Sequence, residues 1–504
     1  MLGHQLLKLA TWPGERRFAH SRENMEQVQR HNLAALLKQV CASARHADGA
    51  LQADMSWEQF AARQPVTDYD HWREAIEHSR LQGGPGLTAS PVSRYQPTSG
   101  STSAIKWVPY TRQFLAELDN AISPWVVDLY RQFPGLKRGR HYWSMSWVPT
   151  ALRESMSDEI NDDLQLMSLG KRLLAGATQS VPQEVSLART SDDSLFSTLA
   201  YLAADESLSM MSIWSPTFGL GMLKAMAQWR EELAEVLATG KWGTRMLGVE
   251  GAGCPVSHRA ASLLRQWDGR LGADFFMALW PRLALVSAWD TAASAPWARQ
   301  LHGLLPQAAF QGKGLWATEG VVTIPYQGQH TLAYRSHVYE FQDPEDGCIY
   351  APWELEPGQQ VMPLLSTGSG LLRYRLKDLV KVEALSQGVP VLTFLGRAGT
   401  TDLVGEKLTA PVVESAIAGL ALALPAAAHA QDAVDTGDDS YNMVIVYGDD
   451  ECPQSTADQI VVCARKAEND RYRIPETLRF SQSPANTSWA ERVERFEMAG
   501  DFGI

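Results

Sequence analysis

The amino-acid sequence predicts an α/β protein with a large N-terminal domain, residues 1–396, and a smaller α+β C-terminal domain, residues 397–504. Three observations carry that prediction. Helix-period apolar stripes dominate the first half of the chain. Between Gly312 and Phe394 the texture changes to short β-rich runs divided by Gly, Pro and Asp. After Gly396-Arg397-Ala398-Gly399 comes a final stretch with its own strong strand signal, too short to be the main domain.

The elements follow in order. Met25, Val28, Leu33, Leu36, Leu37 and Val40 fall on one side of a helix over 25–40. A second helix is predicted from Leu220 to Leu237, with Leu223, Met226, Leu233 and Leu237 on its apolar side and Gly240 as its stop. Strand runs are predicted at Gly320–Tyr326, Thr331–Phe341 and Val391–Leu395. In the final stretch a helix starts at Pro411 and a strand covers Tyr441–Tyr447.

Composition narrows the function classes. At 504 residues the chain amounts to roughly three domain-equivalents of ~150 residues. Hydrophobic residues at 45% supply ample core, which excludes disordered and collagen-like classes. Lys and Arg total 45 against 57 Asp and Glu, a net charge of −12 that repels phosphate backbones and argues against nucleic acid as a partner. The opening MLGHQLLKLATWPGERR lacks the pattern of a signal peptide. The most apolar window, Ser415 to Ala428, is broken by Gly419 and Pro425 and falls short of the ~20 residues a bilayer needs, so no membrane span is expected. Five cysteines without CxxC spacing favour reduced thiols, and a cytoplasmic location and a monomer are expected. The 17 tryptophans are the unusual feature, because such rings line either cores or pockets for flat ligands.

The most informative stretch is Gln96-Pro97-Thr98-Ser99-Gly100-Ser101-Thr102-Ser103-Ala104-Ile105-Lys106. Small hydroxyl residues and a glycine in a turn, followed by a lysine, can present N–H groups, hydroxyls and an ammonium to a polyphosphate. It is neither a Walker loop nor a Gly-x-Gly-x-x-Gly fingerprint. Taken alone, a Ser/Thr-rich surface turn is the alternative.

Thr-Ser-Gly-Ser-Thr with Lys106 after it resembles the phosphate loop of the adenylate-forming superfamily, and companion motifs follow in order. They are Leu315-Trp316-Ala317-Thr318-Glu319-Gly320, Tyr339-Glu340-Phe341, Leu371-Leu372-Arg373-Tyr374-Arg375-Leu376-Lys377-Asp378, Phe394-Leu395-Gly396-Arg397 and Gly405-Glu406-Lys407. The order and wording are similar to the Gretchen Hagen family of acyl-acid amido synthetases. The resemblance implies a large adenylate-forming domain of β-barrel and sheets flanked by helices, and a mobile small domain. It also implies ATP and Mg²⁺ as cofactors, and carboxylic-acid and amine substrates joined through an acyl-adenylate.

Residue roles follow from that resemblance and from chemistry. Thr98, Ser99, Gly100, Ser101 and Thr102 form the phosphate loop, with Lys106 and Glu319 as the catalytic residues. Trp316 offers adenine a stacking face worth ~1–3 kcal/mol. Glu319 supplies a hard carboxylate oxygen for Mg²⁺. Thr318 is placed to bond the α-phosphate, Asp378 to accept the ribose hydroxyls, and Arg397 to touch ribose or phosphate at the hinge. By position in relatives, Trp143, Trp147, Trp214 and Phe218 line the acid pocket; each is also explicable as core. Trp267, Trp280 and Trp289 are assigned to core.

Two departures from the family pattern stand out. Lys377 occupies the place of a glycine before the Asp, and the terminal Gln-x-Lys-x-Pro segment has no counterpart, Lys466 being the last lysine. Either the chain is short there, or Arg471 or Arg473 substitutes, or Lys106 acts without a second cation. The alternatives to amide synthesis are an acyl-adenylate ligase that delivers to a thiol, and a catalytically impaired nucleotide-binding relative.

Overall fold

The computed structural model describes residues 2–46, 49–98, 106–145, 147, 169–245, 251–398, 400–403, 406–409, 441–447 and 460–466. The described residues up to Thr409 fall in one compact unit. A second unit holds Tyr441–Tyr447 and Ile460–Lys466, which pair in parallel. The loop residues Ser99, Gly100, Ser101 and Thr102, the helix expected from Pro411 and the apolar window 415–428 lie outside the described residues. No described helix is long and apolar enough to cross a membrane.

The large unit begins with helices α1 (Leu2–His20), α2 (Met25–Cys41), α3 (Trp57–Arg63) and α4 (Tyr69–Gln82). The predicted stripe of α2 holds: Met25, Leu33, Leu36, Leu37 and Val40 are buried, while Val28 is half-buried at the edge. Helix α3 starts in a reciprocal capping box, with Ser56 accepting from the Gln59 amide and Gln59 returning the bond, which satisfies two orphan donors. An antiparallel hairpin, β1 (Val92–Thr98) and β2 (Lys106–Thr111), then leads into α5 (Arg112–Gln132). Thr111 caps α5 by accepting from the Phe114 amide.

Four parallel strands follow, β3 (Arg140–Trp143), β4 (Leu208–Ser212), β5 (Leu285–Ala288) and β6 (Ala309–Gly312), lying side by side in chain order. All residues of β4 and β5 are buried, as a parallel sheet covered by helices requires. The single helix expected over 220–237 is two helices, Pro216–Gln228 and Arg230–Thr239. Trp229 breaks the run at φ −98°, ψ 14°, where its ring packs on Phe196 and beneath Arg245. Tertiary packing overrides a continuous apolar stripe there. Gly240 ends the second helix in the left-handed conformation, as expected.

The strand-rich half forms a small hairpin and a larger sheet. Strands β7 (Trp316–Ala317) and β8 (Gly320–Val321) pair with each other. The antiparallel sheet contains β9 (Thr323–Tyr326), β10 (Gln329–Leu332), β11 (Val338–Gln342), β12 (Ile349–Tyr350), β13 (Gln360–Ser366), β14 (Tyr374–Arg375), β15 (Asp378–Ser386) and β16 (Val389–Arg397). The run predicted over Thr331–Phe341 is two strands joined by a turn. The Tyr334 and His337 carbonyls in that turn accept from buried Gln29 of α2, a long-range contact that local alternation does not report.

Arg373, just ahead of β14, adopts φ +46°. That residue is 5% exposed. Its guanidinium makes a two-pronged pair with Glu340 of β11, at 2.7 and 2.9 Å, and caps the carbonyls of Ala61 in the last turn of α3 and of Gln64 just after it. A left-handed φ at a non-glycine residue costs ~1–3 kcal/mol and persists where its surroundings over-determine it. Removing one partner of such a buried pair strands a charge. Arg373→Met is therefore expected to lower the unfolding free energy by about 3–5 kcal/mol in urea denaturation. A loss below ~1 kcal/mol would show that the pair does not hold this segment.

Candidate active site

Three segments distant in sequence converge beside the start of β2. Lys106 opens β2, and its ammonium lies 5.5 Å from the Tyr69 ring centroid. Tyr69 in turn accepts the Trp107 amide at 2.7 Å, pinning the base of the hairpin to α4. Glu319 sits in the turn between β7 and β8, with Oε1 accepting from the Tyr374 hydroxyl at 3.0 Å. Burial, then the Glu319 charge, push the Tyr374 phenol well above its ordinary range, so it remains a donor to that carboxylate. Asp378 and Arg397 face each other across β15 and β16, with Nε and Oδ1 3.9 Å apart.

These groups share one electrostatic neighbourhood. Burial pulls the Lys106 ammonium below its usual value; Glu319 and Asp70 oppose the shift, while Arg397 and Lys377 add to it. Lys106 thus feels two further cations, Arg397 and Lys377, together with the Glu319 carboxylate, a mixture of charges suited to a polyanion. Tyr110 of β2 donates to the Thr318 carbonyl at 3.1 Å, tying the lysine strand to the glutamate turn. Gly314 precedes this turn because a Cβ there would stand 2.0 Å from the Thr323 carbonyl oxygen.

The predicted aromatic residues divide. Trp316 is half-buried and packs against Trp125 of α5, ring centroids 6.2 Å apart. Trp143, only 4% exposed, meets the same Trp125 edge-on at 5.6 Å. Trp125 therefore joins the adenine-platform candidate to the first acid-pocket candidate, and its own Nε1 donates to Gln311. Trp147 is half-buried and donates to the Ala188 carbonyl. Phe218 is half-buried against the core around the parallel sheet. Trp214 lies under the buried Lys313 ammonium, 4.3 Å from its ring centroid, a contact worth ~1–2 kcal/mol when desolvated.

Sequence reasoning missed Lys313 and Asp290, which with Trp289 occupy the carboxyl ends of β5 and β6, where parallel sheets place ligand-binding loops. Trp289 is half-buried, packs against the core as assigned, and also lines a small pocket with Phe394, Lys313, His330 and Thr291. Burial raises the Asp290 carboxyl, and its Oδ1 is buried without a hydrogen-bond partner among the described residues. Trp267 and Trp280 are core, as assigned. Position after strands that alternate too briefly to recognise was the signal available for this corner.

Thr98 closes β1 at the lip of the hairpin, opposite Lys106 in register. Among the described residues no three His, Cys, Asp or Glu side chains gather as a metal cluster. Glu319 stands as a single hard oxygen donor beside cations, a set that fits Mg²⁺ held by one carboxylate together with nucleotide phosphates rather than a protein cage.

Residues 14–310 match the GH3 family N-terminal domain and residues 330–397 the GH3 family central domain. The first match alone covers more than half of the chain, which therefore belongs to the GH3 family. A curated relative, the indole-3-acetic acid-amido synthetase GH3.15 of Arabidopsis thaliana, is 21% identical over 408 residues, 74% of this chain and 68% of its own. The solved GH3.15 acyl acid amido synthetase superposes with a TM-score of 0.64 at 17% identity, covering 81% of this chain and 75% of that one. Its complex with 2,4-DB gives 0.62, also at 17% identity, over 82% and 75%. The two superpositions establish the shared fold.

Because burial lowers the Lys106 ammonium below 10.5, the folded chain binds fewer protons there than the unfolded chain as pH approaches that value. Holding the ammonium half-buried thus costs stability at neutral pH, and the cost fades as pH rises toward 10.5. Lys106→Met is expected to raise the thermal midpoint at pH 7, with the gain shrinking by pH 10. An unchanged or lower midpoint at pH 7 would contradict the burial cost.

Proposed function

We propose that this GH3-family chain is an ATP-dependent ligase that activates a carboxylic acid as an acyl-adenylate and passes the acyl group to an amine, an amino acid in the first instance, to form an amide. The observation that carries the reading is the meeting of Lys106, Glu319, Arg397, Lys377 and Asp378 from three segments in one partly buried place. Family membership and relatives named as amido synthetases support it further. The proposal assigns the ATP and acid site to residues 1–396 and a small domain to 397–504. It takes the protein to be a cytoplasmic monomer acting on small molecules.

A carboxylate oxygen of the acid attacks the α-phosphorus of ATP, the bond to the β-phosphate breaks, and pyrophosphate leaves. Lys106, with hydroxyls and N–H groups of Thr98, Ser99, Gly100, Ser101 and Thr102, would hold the phosphates and offset the charge that grows on the leaving oxygens. Thr318 would bond the α-phosphate and Arg397 the ribose or phosphate. Asp378, beside Arg397, would accept the ribose hydroxyls, and Trp316 would stack on adenine. Mg²⁺, when bound at Glu319, would neutralise phosphate charge. In the second half the amine attacks the acyl carbon and AMP leaves; the protein's part is to align the amine and keep water out. Trp143, Trp147, Trp214 and Phe218 would shape the acid's pocket, suiting a flat acid.

Acid-dependent exchange of labelled pyrophosphate into ATP, run across a library of carboxylic acids, tests the first half. Exchange is expected with at least one acid, and Lys106→Ala and Asp378→Ala should each reduce it by roughly a hundredfold or more. ATP binding without exchange for any acid would sink the enzymatic reading, and normal exchange in both variants would move the nucleotide elsewhere. Addition of amino acids should discharge the adenylate as amide; discharge by coenzyme A alone would make the acceptor a thiol.

A further inference from the structure

The glutamate turn is fixed from behind by a buried histidine that none of the sequence motifs includes. His337, whose side chain is wholly buried, lies between β10 and β11. Its Nε2 is 3.2 Å from the Val321 backbone nitrogen, and its Nδ1 is 2.8 Å from Glu117 Oε2. The Val321 N–H can only donate, so Nε2 keeps its lone pair and Nδ1 carries the proton that goes to Glu117. The same Glu117 oxygen accepts the Gly368 amide at 2.9 Å, and Oε1 accepts from Gln113 at 3.1 Å. The imidazole stacks on Phe114, interplanar angle 15°. A Cβ at Gly320 would stand 3.0 Å from Nε2, so the glycine beside Glu319 permits this approach.

Glu117 and Phe114 belong to α5, which continues directly from the strand that Lys106 opens. Val321 follows Glu319 by two residues. We propose that His337, oriented by Glu117, is a positioning residue that sets the Glu319 carboxylate in register with Lys106. It works through the Val321 amide on one side and the α5 start on the other. It rests on the functional reading of Glu319 and Lys106 given above. A carboxylate in a tight turn swings with its backbone, and misplacement by ~1 Å can cost about a hundredfold in rate. Groups that orient a ligating side chain typically cost about 10–100-fold when removed.

His337→Phe keeps the ring on Phe114 and removes both hydrogen bonds. The expected result is a kcat for pyrophosphate exchange lower by about 10–100-fold, with KM for the acid unchanged. In a Glu319→Gln background the same change should cost little more, since a residue acting through Glu319 has nothing left to position. Glu117→Leu should behave like His337→Phe, whereas Glu117→Gln, whose carbonyl can still accept from the imidazole and from Gly368, should recover most of the lost rate. A full additional loss in the Glu319→Gln background, or normal kcat in folded His337→Phe, overturns the proposal.

Hydrogen exchange at the Val321 amide, measured without substrates, decides the matter independently of turnover. Protection should fall in His337→Phe and Glu117→Leu and persist in Glu117→Gln; equal protection in all three overturns it. Wild-type protein that shows the protection pattern but no pyrophosphate exchange would refute the functional reading and not this one.

Discussion

The buried pair between Arg373 and Glu340 is the constraint on which the candidate site depends. Two charged groups are taken out of water there, and their stabilisation comes from a two-pronged contact together with the Ala61 and Gln64 carbonyls. The pair holds Arg373 in the left-handed region, and the chain leaves it at a fixed angle. Thr67 then brackets the segment, its amide bonding the Arg373 carbonyl while its own carbonyl accepts the Arg375 amide. Tyr374 is thereby aimed at Glu319, and the chain runs on into β15, where Asp378 meets Arg397. One ion pair deep in the fold thus orients two groups at the candidate site.

Rigidity behind the site is matched by electrostatic tension within it. Lys106, Lys377 and Arg397 gather with Glu319 and Asp378 as counter-charges, and the half-buried lysine is held below its usual affinity for protons. Such a cluster is costly in the empty protein and becomes favourable when a polyanion arrives. That is the exchange expected where function and stability oppose each other. The aromatic line from Trp316 through Trp125 to Trp143 provides the apolar counterpart, a run of ring contacts from half-buried Trp316 to the interior.

The sequence made legible what depends on local pattern or on motif wording. The α2 stripe, the Gly240 stop and the Tyr441–Tyr447 strand are local, and all appear. Lys106, Glu319, Asp378 and Arg397 stand out as candidates because their motifs announce them. Other features depended on contacts between segments hundreds of residues apart. Trp229 breaks a helix through packing on Phe196 and Arg245, and the turn before β11 forms where Gln29 reaches two carbonyls. The burial of Arg373 was not legible because its partner, Glu340, lies on another strand. Trp125, Lys313, Glu117 and His337 carry no recognisable motif, and only the folded chain brings them to the site.

The central claim is that this crevice makes a carboxylate attack the α-phosphorus. The most direct measurement follows the oxygen atoms. With an acid labelled with oxygen-18 in its carboxylate, the account predicts that each amide formed leaves one labelled oxygen on the phosphate of AMP. Label in inorganic phosphate, or AMP without label while amide accumulates, would contradict it.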